Sequence, residues 1–467
     1  MRVLKFGGTS VADAARILRV AGLVKAASAR GPVVVVTSAM SGVTNALLAA
    51  GRAAEEKGVR AAEDAWRQIA RRHRDAVDEI VGGDPGRAAD LAARLDAHLA
   101  QLEDLLRGVG LLRELSPRAQ DAVASFGERL NALLLAEALL TSGAGATPVD
   151  ASRLIITDAE FGAAAPDLPA IRRRAPRILG PILRRGTIAV VGGFYGSTPD
   201  GVTTTLGRGG SDYSAALLAA ALPAEAVEIW TDVDGMLTCD PRIVPEARLI
   251  PRISAAAAAE LARFGAKVIH PATIGPAVKA GIPVLIKNTF APNAPGTVIV
   301  GNEDDPVRGV PIAVAAKRNV AIVSVSSPEM LDAAGYMARI WRIYEEHEVS
   351  VDLVATTEVS VSATVEDLSA IPPLLRDLRS LGEASAHQGC AIIAVVGKGF
   401  LFQPGLAARI FSALGEINVL MISQGAKDNN VSFVVDDRDL PVALRRVHTA
   451  LFDADPVPDY LEAGRVS

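Results

Sequence analysis

Beyond about residue 315 the chain repeats when it is laid on itself with a shift of 70. Ala321-Ile322 falls on Ala391-Ile392, Val325 on Val395, Gly335 on Gly405, and Ala338-Arg339-Ile340 on Ala408-Arg409-Ile410. Val349 then falls on Val419, Val361-Ser362 on Val431-Ser432, and Val365 on Val435. One register holds throughout, so this region contains two copies of a small unit and not one larger core. Each copy reads strand, glycine-led helix, strand, turn, strand, helix, which is the split βαβ arrangement of a ferredoxin-like sandwich. The full 467 residues exceed one ordinary core, and roughly two to four domains are expected.

Upstream of the repeat, short β-branched runs alternate with helical stretches. The runs are Val33 to Val36, Ile188 to Val191, Val227 to Trp230 and Val284 to Ile286, and the helices include Ser211–Leu222 and Ser254–Phe264. Such alternation predicts an α/β sheet with buried strands. Between about residues 53 and 140 the composition turns to Ala, Leu, Arg and Glu, with Leu91, Leu95, Leu99, Leu102 and Leu106 at helical spacing. This predicts a helical insertion broken at Gly82-Gly83-Asp84-Pro85. The formal charge of −5 gives no drive toward nucleic acid or an anionic membrane, so a small-molecule partner is expected. Cys239 and Cys390 stand far apart, which indicates neither a disulfide framework nor a thiolate metal site and fits a reducing cytoplasm. The apolar run at Val3-Leu4 stops too early for a signal peptide, and no stretch approaches the length of a membrane span.

Three polar clusters interrupt these apolar elements. The first strand ends at Lys5-Phe6-Gly7-Gly8-Thr9-Ser10, where a cation precedes two residues that permit close backbone approach, then hydroxyls able to cap a helix. Backbone N–H groups there suit phosphate, although the same residues make a plain turn, and the spacing is not that of a P-loop. The second cluster, Thr203 to Asp212, sets Arg208 and Asp212 around Gly209-Gly210 at the start of an apolar helix. A guanidinium suits two-pronged capture of a carboxylate, and the helix start offers unpaired N–H groups. The third, Thr231-Asp232-Val233-Asp234-Gly235 with Asp240-Pro241-Arg242, follows a strand end, a usual place for nucleotide contacts, and reads equally well as two Asx turns. Glu128 and Lys267 are charges set in otherwise apolar surroundings. No Ser-His-Asp set, HExxH or Cys/His array is present.

In this order the clusters resemble the aspartate kinases of the amino-acid kinase family. The resemblance runs over nearly the whole chain, through Lys5 to Ser10, Ser38-Ala39-Met40-Ser41-Gly42-Val43-Thr44-Asn45, Gly207 to Asp212, Thr231-Asp232-Val233, Phe264 to Pro271 and Val351 to Ser360. The C-terminal repeat is similar to that family's tandem ACT domains, which bind effector amino acids. The resemblance implies an αβα catalytic domain over residues 1–305, then ACT domains over 316–385 and 386–455. It implies transfer of the ATP γ-phosphoryl group to the β-carboxylate of L-aspartate, the first step toward lysine, threonine and methionine, with Mg2+ carried by the nucleotide and no metal held by protein side chains alone.

It also implies roles for residues. Glu128 would hold the α-ammonium of aspartate and Arg208 its α-carboxylate, with Ser38, Thr44 and Ser211 in the same pocket. Lys5 and Lys267 would neutralise the transferring phosphoryl group and Asp212 would orient the lysines. Gly7, Gly8, Thr231, Asp232 and Arg242 would border the nucleotide, while Leu237 replaces an aromatic residue common in relatives and puts base stacking in doubt. No general base is needed, because a carboxylate nucleophile with pKa near 4 is ionised at neutral pH. Regulation is expected at the first ACT unit, by lysine ahead of threonine, through Met330, Gly335, Asp352, Thr357 and Glu358. A homodimer or higher homo-oligomer is implied as well. An N-acetylglutamate or glutamate 5-kinase is disfavoured by the repeat, a silent amino-acid sensor by the presence of Lys5, Arg208, Asp212 and Lys267, and no fused homoserine dehydrogenase is expected.

Overall fold

The computed structural model describes residues 1–222, 224–265, 269, 271–302, 310–400, 403–425 and 430–452. It forms two compact units, Met1–Met236 with Val268–Asp304, and Leu237–Lys267 with Asp305–Ser467. The first runs β1 (Arg2–Phe6), α1 (Ala14–Ser28), β2 (Val33–Thr37), α2 (Val43–Lys57), α3 (Val59–Val81), α4 (Pro85–Leu112), α5 (Pro117–Ala124), α6 (Phe126–Thr141) and β3 (Ala146–Val149). It continues through α7 (Leu168–Arg184), β4 (Ile188–Gly192), the hairpin β5 (Tyr195–Ser197) and β6 (Thr203–Thr205), α8 (Gly210–Ala221) and β7 (Ala226–Thr231). The chain visits the second unit with β8 (Arg252–Ser254) and α9 (Ala255–Arg263), then returns with α10 (Pro271–Lys279), β9 (Val284–Asn288) and β10 (Thr297–Val300).

Within the first unit the strand order is β3-β4-β2-β1-β7-β9-β10, parallel as far as β9, with β10 antiparallel. Every residue of Val33–Thr37 is buried, as a parallel strand covered on both faces requires. Because Phe6 lies level with Thr37 of β2 and Trp230 of β7, the loops after β1, β2 and β7 emerge side by side at the carboxyl edge of the sheet. That edge is where open α/β sheets place ligands.

The helical insertion breaks where the sequence predicts. Gly82 ends α3 in the left-handed conformation, and Asp84 starts α4 by accepting hydrogen bonds from the N–H groups of Gly86 (3.0 Å) and Arg87 (3.1 Å). The five leucines at helical spacing in α4 are all buried. The continuous helical stretch, however, starts at Val43 and not near residue 53. Val43-Thr44-Asn45 are poor helix formers, and the helix extends over them because Val43 and Leu47 are buried in the core.

In the second unit β11 (Pro311–Ser326), α11 (Tyr336–Glu346), β12 (Val351–Thr356), β13 (Ser360–Val365), α12 (Ile371–Leu378), β14 (Glu383–Gly397), α13 (Leu406–Leu414), β15 (Met421–Ser423), β16 (Asn430–Asp436) and α14 (Leu440–Phe452) follow. The antiparallel sheet has the order β12-β13-β11-β14-β16-β15. The repeat is visible in detail, since Gly335 and Gly405 precede α11 and α13 at φ 83° and 84°, and Ile340 and Ile410 are fully buried.

The copies are nevertheless interlocked, which a division at 316–385 and 386–455 does not capture. Residues Ser324 to Ser326 of β11 pair with Glu383 to Ser385 of β14, whereas Val314 to Lys317 pair with Ile392 to Val395, so the strand before the first copy completes the sheet of the second. Val314 accordingly packs in the core of the second copy with Ile393, Ile410 and Phe433, beside Cys239 and Val244. The N–H of Val314 donates to the carbonyl of Thr238 at 2.8 Å. These contacts group residues 237–267 with the C-terminal unit.

Candidate active site

A cleft of about 840 Å³ opens at the carboxyl edge of the first unit's sheet. Lys5, Gly7, Gly8, Ser38, Thr44, Glu128, Arg208, Ser211, Asp212, Thr231 and Asp232 all line it. Its size suits a nucleotide or small metabolite. Of the other expected residues, Arg242 belongs to the second unit, where it pairs with Asp240 at 2.7 Å, and Lys267 lies outside the described residues. Leu237 is also in the second unit, bridged to Leu249.

Lys5 stands near the end of β1, only 8% exposed, because a central parallel strand buries both faces. Its ammonium lies 2.6 Å from Asp212 Oδ1, in the first turn of α8, where the helix dipole also favours an anion. The turn after β1 is drawn in by a hydrogen bond from Gly7 N–H to the Trp230 carbonyl at 3.1 Å. A β-carbon on Gly8 would stand 3.1 Å from the Ala39 carbonyl, so the backbone runs close against the 38–41 loop.

That loop is held by Asn131, which the sequence did not single out, and by Glu128. Asn131 Nδ2 donates to Thr37 Oγ1 (2.8 Å) and to the Ser38 carbonyl (2.7 Å). The Ala39 N–H donates to Glu128 Oε1 at 3.1 Å. Glu128 itself is 3% exposed, brought in because residue 127 is glycine, where a β-carbon would meet that of Ala39 at 2.6 Å. Its other oxygen, Oε2, has no hydrogen-bond partner among the described residues. Burial pushes the carboxyl up to about 8, against the opposing pull of the Ala39 N–H and of the Lys5 charge.

Asp121 is a further residue that the sequence reading missed. It is 2% exposed and lines the cleft. Its carboxylate accepts from the N–H of Thr205 (2.8 Å), from Thr205 Oγ1 (2.7 Å) and from the N–H of Gly162 (2.9 Å). It thereby ties α5 to the hairpin that leads into Gly207 and Arg208. A signal was available: Asp121 precedes Glu128 by two helical turns in the same apolar stretch. Arg208 is exposed in the cleft and has no carboxylate partner among the described residues. The cleft therefore combines an unsatisfied buried carboxylate with a buried ammonium and a free guanidinium, a set that can receive a ligand carrying both signs of charge.

The residues expected to bind an effector lie in the second unit. Met330 is buried, and Gly335 at the start of α11 has open space where a side chain would project. Asp352 is not a free anion: Lys317 Nζ lies 2.8 Å from it and Arg263 Nε 3.9 Å, and Lys317 also pairs with Glu366. Thr357 and Glu358 form the exposed β12–β13 turn, closed by Thr357 N–H to the Ser360 carbonyl at 2.8 Å.

Residues 1–288 match the amino acid kinase family and residues 393–451 an ACT domain. The chain is 37% identical to the lysine-sensitive aspartokinase 3 of Escherichia coli, covering 97% of this chain and 99% of that protein. It is 35% identical to the chloroplastic aspartokinase 1 of Arabidopsis thaliana, over 98% and 81%. Among solved structures, E. coli aspartokinase III in complex with lysine and aspartate superimposes with a TM-score of 0.83 at 34% identity, covering 97% of this chain and 99% of that one. The same enzyme with aspartate and ADP gives a TM-score of 0.79 at 35% identity over the same shares. The aspartate kinase of Clostridium acetobutylicum gives 0.82 at 28% identity, over 97% and 100%. With the family model matched over residues 1–288 and a relative 37% identical over 97% of the chain, the chain belongs to the aspartokinases of the amino acid kinase family.

Proposed function

We propose that the cleft of the first unit transfers the γ-phosphoryl group of ATP to the β-carboxylate of L-aspartate by positioning and electrostatics alone. The observation that carries the assignment of roles is the buried Glu128 carboxylate with one unpartnered oxygen, in the same cleft as the Lys5–Asp212 pair. The α-ammonium of aspartate fills the vacancy at Glu128 Oε2, which then ionises fully and gives up the proton that burial lets it keep. Arg208 grips the α-carboxylate, and Ser38, Thr44 and Ser211 complete the pocket. The β-carboxylate, already ionised, is left facing the phosphoryl group. Lys5, held by Asp212, meets the charge that develops on the transferring group, and Lys267 is assigned the same task. Gly7, Gly8, Thr231 and Asp232 border the nucleotide. Mg2+ enters with ATP and shares in neutralising its phosphates.

The second unit supplies regulation. Lysine is the effector, received in the first repeat at the start of α11 beyond Met330 and Gly335, with Thr357 and Glu358 at the rim. Asp352 exchanges Lys317 for the ammonium of the ligand. The lysine-sensitive E. coli relative supports this choice over threonine. The enzyme works in the cytoplasm as a homodimer or larger homo-oligomer joined through its ACT units. Among the described residues no helix is long and apolar enough to cross a membrane. Arg208→Lys tests the substrate assignment, since it keeps the charge and loses the fork. The KM for aspartate should rise about tenfold or more, about 1.4 kcal/mol, while that for ATP moves less than about twofold. The opposite pattern would move Arg208 to the nucleotide.

A further inference from the structure

The first unit carries a second cavity, of about 570 Å³, away from the cleft residues. Three arginines line it: Arg153 from the 3-10 turn Ala151–Arg153 after β3, and Arg174 and Arg177 from α7. Ser152, Ile178 and Ser197 are also in its wall. α7 holds five arginines, Arg172, Arg173, Arg174, Arg177 and Arg184, and no acidic residue. Arg174, Arg177 and Ile178 follow the i, i+3, i+4 spacing that puts side chains on one helix face. Like charges so placed repel, and a helix usually relieves this with intervening carboxylates. Here none of the three cavity arginines has an ion-pair partner among the described residues, in a chain whose Asp and Glu outnumber its Lys and Arg by 53 to 48.

Two acidic residues neighbour the wall: Asp200, exposed between the wall residues Pro199 and Gly201, makes no ion pair among the described residues, and Asp150 is already committed. Asp150 receives Arg129 at 2.8 Å and the N–H of Ser152 at 2.9 Å, so it is not available to Arg153, Arg174 or Arg177. The wall is also fixed, because Ser197 Oγ donates to the Ser152 carbonyl at 2.7 Å and ties β5 to the turn that carries Arg153. Three unneutralised guanidiniums from two separate elements, converging on a concave site of metabolite size, match the geometry of a phosphate group, whose oxygens accept two parallel N–H bonds from each fork. We propose that this cavity binds a small phosphate-bearing anion, as a site separate from the catalytic cleft.

Calorimetry on the full chain tests this, with aspartate and ADP at saturation so that the catalytic cleft is filled. Inorganic pyrophosphate and glycerol 3-phosphate serve as separate probes, to tell free phosphate chemistry from a phosphorylated metabolite. At least one should bind with a Kd below about 1 mM. Arg174→Ala with Arg177→Ala should weaken that binding tenfold or more and leave kcat unchanged. Arg172→Ala with Arg173→Ala removes equal charge from α7 at positions outside the cavity wall and should change the Kd by less than twofold. Arg153→Gln, on the other element, repeats the test should the double variant fail to fold. Absence of binding by both probes overturns the proposal. So does equal weakening by the Arg172/Arg173 control, which would mean a diffuse basic surface, or tighter capture by phosphatidylglycerol vesicles than by either probe.

Discussion

Glu128→Gln should make the unliganded protein more stable as pH rises while crippling its use of aspartate. In the folded chain burial lifts the carboxyl from an ordinary 4.5 to about 8, so between those values the folded state holds a proton that the unfolded state has released. Stability therefore falls as pH rises through this window, at up to about 1.4 kcal/mol per pH unit. Between pH 5 and 8 the loss reaches about 3 kcal/mol, and glutamine, neutral throughout, avoids it. The amide still accepts from the Ala39 N–H, and its NH₂ group is no worse paired than the hydroxyl of the protonated acid. At about 1–2 °C per kcal/mol for a unit of more than 250 residues, the midpoint of the variant should gain about 3–6 °C on the parent between pH 5 and pH 8. Thermal melts without ligand at a series of pH values read this directly. At pH 8 the same variant should show an aspartate KM raised at least about 30-fold, about 2 kcal/mol, for loss of a buried charge partner. A midpoint difference that stays flat with pH would refute the claim that burial holds a proton on Glu128 well above the ordinary carboxyl range.

Three further outcomes follow from the geometry. Lys5→Ala should cost about 10²–10³ in kcat with the fold intact by circular dichroism, as loss of one preorganised donor does, and retention of more than half the activity would remove Lys5 from the chemistry. Asp121→Ala removes the acceptor of the Thr205 and Gly162 N–H groups and of the Thr205 hydroxyl, so it should destabilise by about 2 kcal/mol in urea melts and raise the aspartate KM through the loosened hairpin. An unchanged KM would limit Asp121 to a structural role. Gly335→Asp and Asp352→Ala should each keep kinase activity yet need about tenfold more lysine for half-inhibition, a coupling loss of about 1.4 kcal/mol. Full lysine sensitivity in both would displace the effector site.

Much of this was legible in the residues because local physics and global position agreed. Val33 to Val36 can only be a strand buried on both sides, and Lys5 and Glu128 stood out as lone charges in apolar runs, where an uncompensated ion needs a reason. The glycine-led helices of the repeat kept their register and their left-handed starts. What stayed hidden was non-local. Nothing in Pro311 to Lys317 states that this strand will pair with the second copy and not the first, since a strand's sequence carries its burial and not its partner. The packing of Cys239 and Val244 against that copy was hidden for the same reason. Asp121 looked like an ordinary polar position on a short helix until the hairpin of Thr205 closed over it. Asp352 looked like a free anion, because Lys317 and Arg263 reach it from distant points in the chain.

The most direct test of the central claim is to trap the product. With aspartate, ATP and hydroxylamine, the parent enzyme should form β-aspartyl hydroxamate in equal amount to ADP, because an acyl phosphate at the β-carboxylate is the species that hydroxylamine captures. Glutamate in place of aspartate should give little of either, and Lys5→Ala should lower both together. ADP released from aspartate without hydroxamate, or hydroxamate formed from glutamate as readily as from aspartate, would contradict the assignment of this cleft.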